Sequence, residues 1–68
     1  MAYSELDLET RTIAERVLTR KQLDVFKLWM AGKSDYAIGV TLDIATSTAR
    51  GHRLRAIQKM EIEKRRAA

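Results

Sequence analysis

Residues Thr41 to Met60 read TLDIATSTARGHRLRAIQKM, and they concentrate most of the chemistry in the chain. Three small hydroxyl residues, Thr46, Ser47 and Thr48, are followed closely by Arg50, Arg53 and Arg55. Guanidinium groups on a narrow helical surface suit a polyanion, because their fork of N–H donors matches phosphate oxygens or the acceptor edge of a guanine. At helical spacing Ser47, Arg50, Gly51 and Leu54 share one face, opposite Ala49, Ala56 and Met60, with Ile57 and His52 flanking. Thr46, Ser47 and Gly51 are slim enough to let a helix approach base edges. Thr46, Ser47, Arg50, Gly51 and Leu54 are therefore the candidate base-reading residues. Arg50 reaches a guanine edge or a phosphate equally well, and the hydroxyls of Thr46 and Ser47 would also serve as helix caps. Phosphate contacts that fix register fall to Thr48, His52, Arg53, Arg55 and Lys59, with Arg20, Lys21 and Lys33 from upstream.

Composition narrows the alternatives. The 68-residue chain has no cysteine and one histidine, which leaves neither a disulfide nor a structural zinc site. It has no acid pair with a plausible pocket, no nucleophile–base arrangement and no glycine-rich phosphate loop, so neither an enzyme nor a cofactor is expected. His52 and Trp29 read as packing residues. The Arg53 stem is expected to cover the core while its head reaches out to solvent. The net charge is +4 and unevenly spread: residues 1–18 carry −2, residues 19–68 carry +6. A basic body behind an acidic front fits a polyanion partner. The absence of cysteine suits a reducing compartment, and no apolar run approaches the ~20 residues that cross a bilayer. Glu5, Asp7 and Glu9 do not suit a leader peptide. A cytoplasmic protein is expected.

The elements that must position these residues are all helical. With no proline and much Ala, Leu, Arg, Lys and Glu, the chain reads as a small all-α, four-helix domain around a tri-helical helix-turn-helix core. The first helix is expected over residues 4–17, capped by Ser4 with Asp7 three residues on. The second, over 19–31, opens on Thr19 with Gln22 as a capping box, with Leu18 and Leu23 spaced for a hydrophobic staple and Gly32 closing it. Leu23, Phe26 and Met30 form one stripe of this helix and Val25 and Leu28 another, with residues 4–17 expected against the second. A short helix over 34–42 follows Ser34. Its Gly39 permits close approach of a neighbour, and Asp43 forms the turn. The last helix covers 46–60 or beyond, since nothing after Met60 stops it and 61–68 can continue it as a fraying end; this basic tail is either a phosphate-binding arm or a disordered solubilising end.

Residues 18–60, LTRKQLDVFKLWMAGKSDYAIGVTLDIATSTARGHRLRAIQKM, resemble the helix-turn-helix domain shared by LuxR-type regulators and region 4 of sigma factors. The stretch TARGH is similar to the LuxR pattern Thr-Val-Lys-x-His, and RAIQKM to the Arg-Ala-Leu-x-Lys-Leu ending of sigma region 4. Three positions depart from the families: Ala37 replaces a usual Glu, Ala45 a usual Ser or Thr cap, and Ala49 a Val or Ile. LuxR domains continue through a glycine into a dimerising helix, for which MEIEKRR offers no counterpart.

The resemblance and the basic outer face together imply a small, free-standing transcriptional regulator of bacterial or phage type, with residues 46–55 in the major groove of duplex DNA. A homodimer is expected, with Leu6, Ile13, Val17 and Ile62 as candidate dimer or partner surface. The alternative is a module like sigma region 4 that docks on RNA polymerase or another regulator, with DNA binding secondary. A DNA-recognition piece of a phage packaging or recombination assembly is a third reading.

Overall fold

The computed structural model describes residues 2–67, which form a short 3-10 turn, Tyr3–Glu5, and four helices: α1 (Leu8–Val17), α2 (Arg20–Met30), α3 (Asp35–Leu42) and α4 (Thr46–Ala67). Among the described residues there is no strand.

Local signals set most of the boundaries. The Thr19 hydroxyl accepts from the Gln22 amide at 3.2 Å, while Gln22 Oε1 accepts from the Thr19 amide at 3.1 Å, so two otherwise orphaned donors are satisfied at the start of α2. Ser34 caps α3 by accepting from the Ala37 amide at 3.1 Å. Both α2 and α3 end on a left-handed residue, Gly32 (φ 91°) and Asp43 (φ 57°). In each case the next amide reaches back to a carbonyl five residues earlier, Lys33 to Leu28 at 3.1 Å and Ile44 to Gly39 at 2.9 Å, which terminates the helix sharply.

The N-terminal segment departs from expectation. Helix α1 starts after Asp7, not at Ser4: Asp7 caps it, accepting from the Thr10 amide at 3.3 Å and the Thr10 hydroxyl at 2.6 Å. A carboxylate within reach of two donors of the first turn outcompetes Ser4, whose segment turns once as 3-10 helix instead. At the C-terminal end the helix runs on past Met60, as the lack of a stop signal allows. Residues 61–67 continue α4, while Ala68 lies outside the described residues. Glu63 meets Arg16 of α1 at 3.5 Å and Arg66 at 3.3 Å, so this stretch is docked along the body.

Helix α2 packs on two sides, and the neighbours are the reverse of those expected. Ile13, Ala14 and Leu18 from the α1 side join Phe26, Ala56 and Met60 in one buried cluster, flanked by Tyr3, Leu6, Val17, Leu23 and Met30. Val25 belongs instead to a second cluster with Ile38 and Ala49, flanked by Leu28, Leu42 and Ile44. Phe26, the larger side chain, packs among the α1 residues. Val25 fits the close crossing of the helix-turn-helix. Helix α4 contributes to both clusters, and its 22 residues, ~33 Å at 1.5 Å each, run the length of a molecule 35 Å long.

Gly39 is required where α3 meets the turn. A Cβ there would lie 2.7 Å from the Ile44 carbonyl oxygen and 3.4 Å from the Thr46 amide nitrogen. Backbone occupies the place of the missing side chain, and Ile44 can therefore fold back onto the second cluster.

Candidate nucleic-acid interface

Helix α4 is built so that one side closes the core and the other stays open. Ala49, Ala56 and Met60 are buried, whereas Ser47, Thr48, Arg50, Leu54 and Arg55 are exposed. Thr46 and Gly51 are half-buried beside them. A Cβ on Gly51 would meet Arg55 Nη1 at 3.5 Å, an ordinary contact, so the fold does not demand glycine here. Its absence of side chain leaves space on the outer face.

Ala45 occupies the N-cap position of α4. Its carbonyl accepts the first helical bond, from the Ala49 amide at 2.9 Å, but its methyl offers no acceptor to the first-turn amides. Those N–H groups begin the helix at the end where the slim residues lie.

The basic residues divide into two groups. Arg53 is not a free arm: its Nε donates to Asp35 Oδ1 at 2.7 Å and its Nη2 to Oδ2 at 2.9 Å, in a two-point contact between α4 and the first residue of α3. Hydrogen bonding to Arg53 holds the Asp35 carboxyl below the usual aspartate range, and the same bond raises the Arg53 guanidinium. The expectation that its head reaches out to solvent is therefore corrected: two of its five N–H donors are held by Asp35 and the side chain is largely covered, which makes it a weaker candidate for phosphate. Lys59 is likewise engaged. Its ammonium donates to Gln22 Oε1 at 2.9 Å and to the Val17 carbonyl at 3.5 Å, bridging α4 to α1 and α2.

Arg50 is the more open of the two arginines. Its Nε contacts Asp35 Oδ2 at 3.4 Å, yet its side chain is 60% exposed, against 22% for Arg53. Lys33, two residues before Asp35, is exposed at the same end of the molecule. Arg20 and Lys21 are exposed as well, but they adjoin Gln22, which is held by Lys59. That point is thirteen residues, ~20 Å, along α4 from Thr46. The structure thus brings Lys33, Arg50 and the slim residues together, and sets Arg20 and Lys21 apart. His52 is half-buried, and its Nδ1 has no hydrogen-bond partner.

The expected dimer surface also changes. Ile13 is 6% exposed and part of the core, and Leu6 and Val17 pack against the same cluster. Ile62 is 46% exposed, on a hollow lined by Val17, Lys59 and Glu63. The outer side of α1 presents Leu8, 71% exposed, beside Glu9, Thr12 and Arg16. Residue spacing alone put the inner stripe of α1 forward, since an apolar stripe looks the same whether it faces a core or a partner.

Among the described residues no helix is long and apolar enough to cross a membrane, and no group of three His, Cys, Asp or Glu side chains could hold a metal. No curated protein and no solved structure matches the chain. The pattern of the GerE family, described as bacterial regulatory proteins of the luxR family, matches residues 16–68. That span covers the whole of α2, α3 and α4, and the chain belongs to the luxR family of bacterial regulatory proteins.

Proposed function

We propose that this chain is a sequence-specific, duplex-DNA-binding regulator of transcription, of bacterial or phage type, that lays residues 46–55 of α4 in the major groove. The observation that carries this reading is the two-sidedness of α4: Ala49 and Ala56 are wholly buried, while Ser47, Arg50 and Leu54 stand exposed on a helix that begins in small residues. A helix of that build fits a groove ~12 Å wide. Thr46, Ser47, Arg50, Gly51 and Leu54 would face base edges. Lys33, Thr48, Arg55 and the His52 ring would lie along the phosphates, with Arg20 and Lys21 on a more distant strand segment.

A single module of this size covers few base pairs, so paired half-sites and a dimer would supply the specificity. The exposed side of α1 around Leu8, together with Ile62, suits that contact better than the buried stripe. A second reading, docking on RNA polymerase or another regulator with DNA binding secondary, is favoured by Leu8 standing exposed beside Glu9.

Titration of random duplex DNA at two salt concentrations, with and without Arg50→Ala, tests the proposal alongside sedimentation of the free protein. Direct binding predicts a steep salt dependence, with a log–log slope of about −0.9 per phosphate neutralised. Absence of binding at low salt would reject it in favour of a protein partner.

A further inference from the structure

Asp35 stands between two arginines of α4, and they use it differently. Arg53 gives it two parallel N–H bonds at 2.7 and 2.9 Å and is largely covered. This contact fixes the carboxylate, which is itself only 15% exposed. Arg50, one turn earlier on α4, touches the same carboxylate through Nε alone, at 3.4 Å. A carboxylate accepts at about four lone-pair sites, so it can serve all three N–H groups at once. What remains of Arg50 is the end of the guanidinium, Nη1 and Nη2, on an exposed side chain.

We propose that Asp35 is a positioning residue that orients Arg50 for two-point recognition of a guanine in duplex DNA. The inference rests on the DNA-binding reading above and deepens it. A guanine presents two adjacent acceptors, O6 and N7, in the major groove, and a guanidinium approaching end-on matches both. An adenine at the same place presents an N6 donor beside N7, which opposes one of the two N–H groups. An unanchored arginine satisfies phosphates and bases alike by rotating about its stem. Anchoring Nε removes that choice and leaves two donors aimed outward. Asp35 also cancels one positive charge at the groove-facing end, which weakens attraction to any phosphate backbone. A carboxylate here therefore favours discrimination over bulk affinity.

The experiment selects preferred duplexes with the full chain from a randomised pool, then measures affinity for the best site and for each single base-pair change. Arg50→Ala should relax one G·C position, where the wild-type preference is about 5- to 150-fold for a two-point contact. Asp35→Asn should relax that same position and no other, and should add nothing further in the Arg50→Ala background. Lys59→Met, whose contacts are with Gln22 and Val17 and not with Asp35, serves as the control for lost stability, with a lowered melting temperature and the preference kept. Asp35→Glu retains the charge and the pairing with Arg53 but displaces the anchor, so it should also relax the position even if the asparagine variant folds poorly. If Asp35→Asn and Asp35→Glu change only thermal stability, or raise affinity for all duplexes equally, Asp35 is a brace or a charge and the proposal is overturned. If the wild type selects a site but Arg50→Ala lowers affinity at every sequence alike, Arg50 is a phosphate contact and this inference alone fails. If the wild type binds no duplex at low salt, the DNA-binding reading fails with it.

Discussion

The Lys59 ammonium lies 2.9 Å from Gln22 Oε1, and Gln22 Oε1 in turn receives the amide of Thr19, the cap of α2. A cation counted in sequence among phosphate contacts is thus the third member of a capping network. Replacing it by methionine keeps most of the stem and removes the donor. Lys59→Met should lower stability by about 1–2 kcal/mol, in line with loss of the hydrogen bonds to the buried Gln22 and to the Val17 carbonyl. The salt slope of DNA binding should stay as it is. Arg55→Ala should do the opposite, leaving the melting temperature nearly unchanged and reducing the slope by about 1. Thermal melts and salt titrations of the two variants separate the roles.

Two glycines on the helix-turn-helix should respond in opposite directions to alanine. At position 39 a methyl would press on the Ile44 carbonyl at 2.7 Å, and that carbonyl cannot rotate away without opening the turn. The overpacking cost, about 1–3 kcal/mol, should exceed the helix-propensity gain of about 1 kcal/mol, so Gly39→Ala destabilises. At position 51 only the tip of Arg55 is near, at 3.5 Å. Gly51→Ala should stabilise by up to about 1 kcal/mol while weakening binding to duplex DNA, because the added methyl stands on the outer face. Urea unfolding and DNA titration on the same preparations show whether stability and binding part company.

Helix α4 lacks a side-chain cap. Ala45→Ser places an acceptor at the N-cap and should add about 1 kcal/mol, or roughly 4–8 °C in melting temperature for a domain of this size. An unchanged melting temperature would mean that the first-turn amides are already satisfied.

Acid should destabilise the fold from a definite point downward. The Asp7 carboxyl is held low by the Thr10 hydroxyl, and the Asp35 carboxyl by Arg53. Both therefore ionise more readily in the folded chain than in the unfolded one, whose aspartates titrate near about 3.9. Their contribution is fully present above that value and is lost as pH falls through the lower folded values. Melting temperature should hold above about pH 5 and drop below about pH 4. The drop should be shallower in Asp7→Asn and in Asp35→Asn, each of which removes one of the groups.

Much of the fold was legible because its signals are local. Thr19 with Gln22, Ser34, Gly32 and Asp43 act within one helical turn of themselves, and each stands at the boundary read from sequence. The start of α1 was harder: Ser4 and Asp7 are both competent caps, and it is the extra bond from the Thr10 hydroxyl that favours Asp7. The exposed side of α4 was legible in the sequence, whereas the contacts of its rim cations were not. Arg53 and Lys59 look on a helical projection like any exposed cation. Their partners, Asp35 and Gln22, lie 18 and 37 residues away in sequence, and no periodicity announces a contact that only tertiary packing creates.

Helix α4 belongs to both buried clusters yet keeps Ser47, Leu54 and Gly51 out of either. The residues that fold the chain and those proposed to read DNA thus lie on opposite sides of one rod. Substitutions on the outer side can drift without loss of the structure, so under that proposal new operator preferences would be reachable one residue at a time. Arg50 would be the exception, since its partner Asp35 also braces the rod, and a change of preference there would have to travel as a coupled pair.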